Sequence, residues 1–531
     1  MFFYPVRALL PLLLILIYFS INSADETGQI SPASPLIQDY KLFDVNNIRT
    51  WSTNYGSFFR NPVTSNSGFE WPKDSGSFAI YAAGLWLGAK VNEETRVAIA
   101  EYASEFGPGN INPLTHLAED SSDSLFKVYK IGEGGNYADY QNWPGQLGAP
   151  VDSIGNPLLI GDQTLWTVYN DADTSVHINM GSLPLGIEVQ QTVFGWKREF
   201  HYLNDVVFIK WLIINRGFNS LDSLYISFWC DAELGNSPDD LTGCDTTLAL
   251  GFCYNGSDND YEYGQHPPAV GFQVLQGPIA SSLGSTAIYQ GRKIKDFRNE
   301  PMSSFVGYIH NNTINGNPHG PIEFYRYMKG QWRDGSPITY GGMGIDPGNP
   351  HTLYMFTGDP ESGNGWLQSR ESDVRLLENF GPFHFMQGDS QEIVIAAFIG
   401  RGTSNLNSVT VLRNIAGDLK SLYEEYLYKE GRSYHPEPPE PPIPKELGLF
   451  QNYPNPFNSS TTIKYQLPIP RTVRLEIFNA AGQRVATLVN EPQEPDEYEV
   501  VWDAGGLASG IYFARLRVAQ YVFTKKLLLL K

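Results

Sequence analysis

A chain of 531 residues exceeds what one hydrophobic core normally serves, so at least two folded units are expected. Hydrophobic residues at 42% and charged residues at 18% exclude a disordered acidic chain, and a net charge of -20 with no large Lys/Arg cluster excludes nucleic-acid binding, whose affinity comes mainly from neutralising phosphates. The 51 glycines, 36 prolines and 13% aromatic residues favour short strands and tight turns, hence a mainly β protein.

The first element is a leader over residues 1–24. Arg7 gives it a basic start, residues 8–19 (ALLPLLLILIYF) an apolar run too short to span a bilayer, and Ser23 and Ala24 small residues for cleavage. Such a segment predicts passage across an inner membrane, with no transmembrane segment left after cleavage. Residues 25–431 then form a β-rich body, and whether it is one sandwich or two stays open. Within it, 206–215 (VVFIKWLIIN) is apolar on both alternating faces, as a central strand covered on both sides requires. Residues 224–231 alternate like a strand with one drier face, and 216–223 reads as a hairpin joining the two. Further strands are expected at 247–254 and 392–399. One helix is predicted near 408–430, capped at Asn407 or Ser408, with Leu412, Ile415, Ala416, Leu419, Leu422, Tyr423 and Tyr426 on one face.

Chemistry in the body is hard to find. No nucleophile elbow, zinc-protease helix, phosphate loop or dinucleotide fingerprint occurs, which leans against an enzyme. Two carboxylates brought together from distant strands would still suffice for a polysaccharide hydrolase. Asp231, Glu233, Asp239, Asp240 and Asp245 put five carboxylates in fifteen residues, enough hard oxygens for a structural calcium ion, although solvated acidic turns are the commoner origin of such a run. Calcium is the only cofactor that the sequence points to, and if it binds there the body is a calcium-stabilised adhesin. Trp51, Trp71, Trp86, Trp143, Trp332 and Trp366 lie in turn-rich surroundings, where exposed rings would stack on carbohydrate and buried ones would fill a core. The three cysteines, Cys230, Cys244 and Cys253, allow one disulfide of unassigned pairing or buried free thiols.

Residues 432–446 (RSYHPEPPEPPIPKE) form a Pro-rich linker, extended by fixed proline torsions. Beyond it, residues 447–531 alternate as about seven strands, the size of a small immunoglobulin-like β-sandwich. Gly482 is placed to take positive φ in a hairpin turn, and Gly510 opens the next strand. The ordered motifs of this segment are Pro454-Asn455-Pro456 within FQNYPNPF, then the VRLEIFN strand leading to Gly482, then Gly510-Ile-Tyr512, and a basic end at Lys525, Lys526 and Lys531. Together they resemble the C-terminal sorting domain of type IX secretion substrates. The resemblance implies delivery through the periplasm to the cell surface or medium, with the type IX machinery as partner. The stretch Gly243-Cys-Asp-Thr246 is similar to parts of other exported bacterial proteins with this tail, which adds no activity. The expected protein is thus a large β-sandwich-like body with one C-terminal helix, a linker and a sorting domain. Its body is expected to be a non-enzymatic binding or structural module, with a secreted polysaccharide hydrolase and a calcium-stabilised adhesin as alternatives.

Overall fold

Strands apolar on both faces need cover on both faces, and two of them form the centre of the body. In the computed structural model, which describes residues 38–198, 201–311, 313–429, 447–467, 471–493, 496–518 and 521–531, Val206–Asn215 pairs with Ser390–Gly400 in the middle of a nine-stranded antiparallel sheet. Ala269–Gln276, Leu250–Asn255 and Asp240–Asp245 extend it on one side, and Ile187–Gly195, Gln163–Asn170 and Gly107–Pro108 on the other, with Tyr129–Gly132 also paired to Gln163–Asn170. A six-stranded sheet runs Ser304–Ile309, Val374–Phe385, Leu221–Asp231, Ala82–Val91 and Ser57–Phe58, with Glu94–Ile99 also paired to Ala82–Val91. The sheets pack face to face. Phe58 meets Trp211 with ring centroids 5.9 Å apart, and Phe228 meets Phe272 at 5.0 Å. Each such buried ring contributes on the order of 1.5–3 kcal/mol by leaving water.

The expected hairpin at 216–223 is not one. Val206–Asn215 belongs to the nine-stranded sheet and Leu221–Asp231 to the six-stranded one, so the chain turns a corner between layers. The corner lets each strand be central in its own sheet. Val374–Phe385 and Ser390–Gly400 repeat the manoeuvre beside it. Buried Asn215 ties the two corners together: its amide donates to the Asn219 and Phe385 carbonyls at 2.9 and 3.0 Å, and its backbone N–H donates to the Asp389 carbonyl at 3.0 Å.

The long helix is Asn405–Glu425, capped by Ser404, whose side chain accepts from Asn407 N–H, so it starts a few residues earlier than expected. Val409, Leu412, Ala416 and Leu419 face the outer side of the nine-stranded sheet. The approach is close enough that a Cβ on Gly400 would meet Leu412 backbone at 2.7 Å. The sequence reading missed two further helices, the short Tyr137–Gln141 and Gly320–Met328, which lies on the outer face of the six-stranded sheet. Its buried Phe324, Tyr325, Tyr327 and Met328 share one face, but the helix has only 9 residues, too short a run for that period to stand out, and a proline occupies its first turn. The three cysteines are buried and unbonded. Among the described residues no helix is long and apolar enough to cross a membrane. The leader at 1–24 and the linker at 432–446 lie outside the described residues.

The chain divides into two compact units between Tyr434 and His435. The second unit has a three-stranded sheet (Gly448–Leu449, Ser460–Leu467, Asp496–Asp503) and a four-stranded one in the order Arg484–Gln493, Arg471–Asn479, Gly510–Val518, Tyr521–Leu529. Ile463, Tyr465, Leu475, Ile477, Leu516 and Leu527 fill its core.

Candidate functional site

Strand alternation places Trp229 and Asp231 on the outer face of the six-stranded sheet, because their neighbours Phe228 and Cys230 point into the sandwich. Register then sets Asp231 opposite Arg375, and Arg375 opposite Tyr308, so acid, base and phenol form one cross-strand row. Arg375 Nε lies 3.2 Å from Asp231 Oδ1, and its Nη1 lies 2.7 Å from Asp373. The Tyr102 hydroxyl donates to Asp231 Oδ2 at 2.6 Å, and Trp229 Nε1 donates to the Tyr308 hydroxyl at 2.7 Å. Burial lifts the Asp231 carboxyl to about 7 against the pull of Arg375.

Over this row sits a cavity of about 480 Å³. Its aromatic lining is Tyr102, Trp229, Tyr308 and Phe324, and its polar lining includes Glu101, Asn179, Asn317 and Arg375. Phe324 comes from the helix Gly320–Met328 and stands edge-on to Trp86 at 4.7 Å. Burial, reinforced by the nearby Asp231 charge, pushes the Glu101 carboxyl up to about 8. Glu101 is therefore protonated at neutral pH and can donate a hydrogen bond as well as accept one. With Arg375 satisfied by two carboxylates, the cavity holds polar groups and ring faces but little free charge.

Of the acidic run, only Asp231 and Glu233 come together. They join Asp373, with one oxygen of each within 4.8 Å of the others. Arg375 already pairs with two of the three, so a cation there would compete with a guanidinium. Asp239 and Asp240 instead hold loops: Asp239 accepts from the Asn255 amide at 3.1 Å and Asp240 from Leu234 N–H at 3.1 Å. Asp245 accepts from Thr247 N–H at 3.0 Å and faces Arg413. Asp373 and Arg375 lie far downstream and are adjacent only through strand pairing, so nothing in local spacing exposes them. Trp71, Trp86, Trp143, Trp332 and Trp366 are buried and Trp51 is half-buried, so these rings form no exposed platform.

In the second unit Asn455 lies against the edge strand Tyr521–Leu529, and the other motif residues are spread over the module. Asn455 Oδ1 accepts from Leu528 N–H at 2.9 Å while its amide donates to the Lys526 carbonyl at 3.2 Å, clamping the strand that carries Lys525 and Lys526. Pro454 offers its carbonyl to Asn452 at 3.0 Å and Thr461 at 2.8 Å, and Pro456 leads into Phe457, which packs on Trp502. Gly482 has φ +78° in the turn after Asn479, a left-handed conformation that side chains resist. Gly510 begins its strand, and Tyr512 packs on Trp502 while its hydroxyl donates to the Ala508 carbonyl at 2.8 Å. Lys531 Nζ donates to the Gly505 carbonyl at 2.6 Å.

The second unit is thus a small two-sheet module of the kind that closes exported proteins. Residues 451–530 match the family described as the secretion system C-terminal sorting domain, which is the type IX sorting tail. No curated protein matches the chain. Among solved structures, a polysaccharide lyase aligns at 10% identity with a TM-score of 0.29, covering 90% of this chain and 47% of that one. Dimeric latent PorU from Porphyromonas gingivalis aligns at 10% identity with a TM-score of 0.14, covering 70% and 32%. The chain spans half or less of the length of both, and at these scores neither carries an argument. The sorting tail implies export to the cell surface or secretion.

Proposed function

We propose that the protein is an exported recognition module. In this reading a cleaved leader at 1–24 and the sorting domain at 447–531 deliver a non-enzymatic body, residues 25–431, by way of the linker 432–446. The body binds an uncharged, hydroxyl-rich ligand such as a sugar unit in the cavity over Trp229 and Tyr308. The observation that carries this reading is the lining itself: ring faces, amides and one carboxyl, Glu101, that is protonated at neutral pH. A hydrolase needs two carboxyls facing the substrate, and the second acid here, Asp231, is engaged by Tyr102 and Arg375.

The test is binding and turnover of the full chain on a panel of polysaccharides, with and without calcium. Binding without turnover, weakened at least tenfold by Glu101→Ala, is the expected result. Release of reducing ends would establish the hydrolase alternative, and binding that requires calcium would establish the adhesin. Silence on every sugar would remove carbohydrate as the ligand class.

A further inference from the structure

A second cleft, independent of the cavity over Trp229, lies on the outer face of the nine-stranded sheet and measures about 420 Å³. Its floor includes Phe194, Leu212 and Val394 from three neighbouring strands, and Lys210 rises among them. Lys210 makes no hydrogen bond among the described residues, and its nearest carboxylate oxygen, on Glu392, is 3.9 Å away. That oxygen is Oε2; the other oxygen of Glu392, Oε1, accepts from Gln290 N–H at 2.8 Å and from the Gln276 amide at 2.9 Å. The one ion pair of Lys210 among the described residues is long and leaves the ammonium partly exposed on an apolar floor, with donors free for a further anion.

The cleft is overhung by a hairpin, Ile279–Tyr289 with Arg292–Asn299, that forms a two-stranded sheet of its own. In a chain of net charge -20 this hairpin carries four cations, Arg292, Lys293, Lys295 and Arg298, against one carboxylate, Asp296. All four cations are exposed. Only Arg298 has an ion pair among the described residues, with Glu300 at 3.0 Å. The hairpin turn at Gln290 and Gly291 lines the cleft, and so does Tyr428. Lys293 and Lys429 both hold their ammonium groups over the Tyr428 ring, 5.2 and 5.3 Å from its centroid. One cation therefore stands on the floor, two more flank the lining ring of Tyr428, and the remaining hairpin cations continue along the exposed arm.

We infer that this cleft and hairpin form a docking site for an acidic polysaccharide, one bearing a carboxylate or sulfate on successive sugars. An extended polyanion meets several separated cations at once, whereas a single small anion would satisfy Lys210 alone. The apolar floor suits the carbon faces of sugar rings beside the charged groups. The charge complementarity is local, since the rest of the chain is acidic.

Polygalacturonate and neutral dextran are the probes, applied to the full chain at low salt and again at 0.5 M salt, where exposed charges are screened within a few ångströms. Binding to polygalacturonate and not to dextran is expected, falling steeply with salt. The exposed-arm variant R292E/K293E/K295E should bind at least tenfold more weakly with an unchanged thermal transition, and Lys210→Met should also weaken binding. If Lys210→Met alters folding, the exposed-arm variant decides. The inference is overturned if polygalacturonate does not bind, if the arm variant binds as tightly as the parent, or if phosphatidylglycerol vesicles bind more tightly than the polysaccharide through the same residues.

Discussion

The two units solve burial differently. In the sorting domain, strands such as Ser460–Leu467 alternate between buried and more open positions, so each sheet keeps one wet face and polar groups stay at the rim. In the body, Gln163–Asn170 and Ile187–Gly195 are buried along their whole length, because helices and loops cover the outer faces of both sheets. Covered polar side chains must then be paired inside, and that is where the Asp231, Arg375 and Tyr102 row arises. The address is a surface feature of a simple fold, and the candidate chemistry is a buried feature of a layered one.

The comparison breaks most visibly at the level of export. Removing residues 447–531 should leave the protein in the periplasm, which fractionation of the producing cell reads directly; normal surface delivery of the truncated chain would dissociate the address from this unit. Next in size is Arg375→Met, which strands two carboxylates in or near the body's interior. It should cost about 3–5 kcal/mol, seen as a large drop in the body's denaturation midpoint. Asn455→Ala in the sorting domain should cost only about 1 kcal/mol in its own unfolding, since each lost hydrogen bond is replaced in part by water.

The smallest effect is the most discriminating, because the two units should respond to pH in different ranges. Glu101, raised by burial and by Asp231 to about 8, holds its proton more tightly in the folded body than in the unfolded chain. The stability this gives is full below the ordinary carboxylate range and is lost as pH rises towards about 8. Glu476 in the sorting domain is held below its ordinary range, chiefly by the hydrogen bond from Arg484, so its contribution is present above that range and disappears as the pH falls through it. Calorimetry of the full chain between pH 5 and 8 should therefore show the body's transition falling with pH while the other stays level. Glu101→Gln should reduce the body's slope, with Asp231, also raised by burial, left to titrate in the same range.

The same contrast explains what could be read from the sequence. The strand Gly510–Val518 and the turn at Gly482 were legible to the residue, because a wet face and a core face leave a period of two. Val206–Asn215 was legible as a central strand, but its partner was not: runs apolar on both faces carry no register, so the neighbour in sequence passed for the neighbour in space. Asp231 and Glu233 were singled out for their local density, while Asp373 and Arg375, which complete the cluster, were invisible without the pairing of Leu221–Asp231 to Val374–Phe385. The basic hairpin was overlooked for another reason. Its cations are few for a chain this acidic, and only their common exposure on one arm makes them a feature.

The paired corners stitched by Asn215 also bear on how the body reaches its native state. Each sheet has at its centre one strand from 206–231 and one from 374–400, and both accept partners from much earlier in the chain. Both sheets therefore depend on the same two distant segments of chain for their centres, although 163–215 pairs among its own neighbours. A topology dominated by such distant pairings assembles slowly and as a single cooperative event. Cleavage of an exposed loop between the two pairs should therefore slow refolding of the unfolded pieces, because the central pairing of each sheet would no longer be made within one chain.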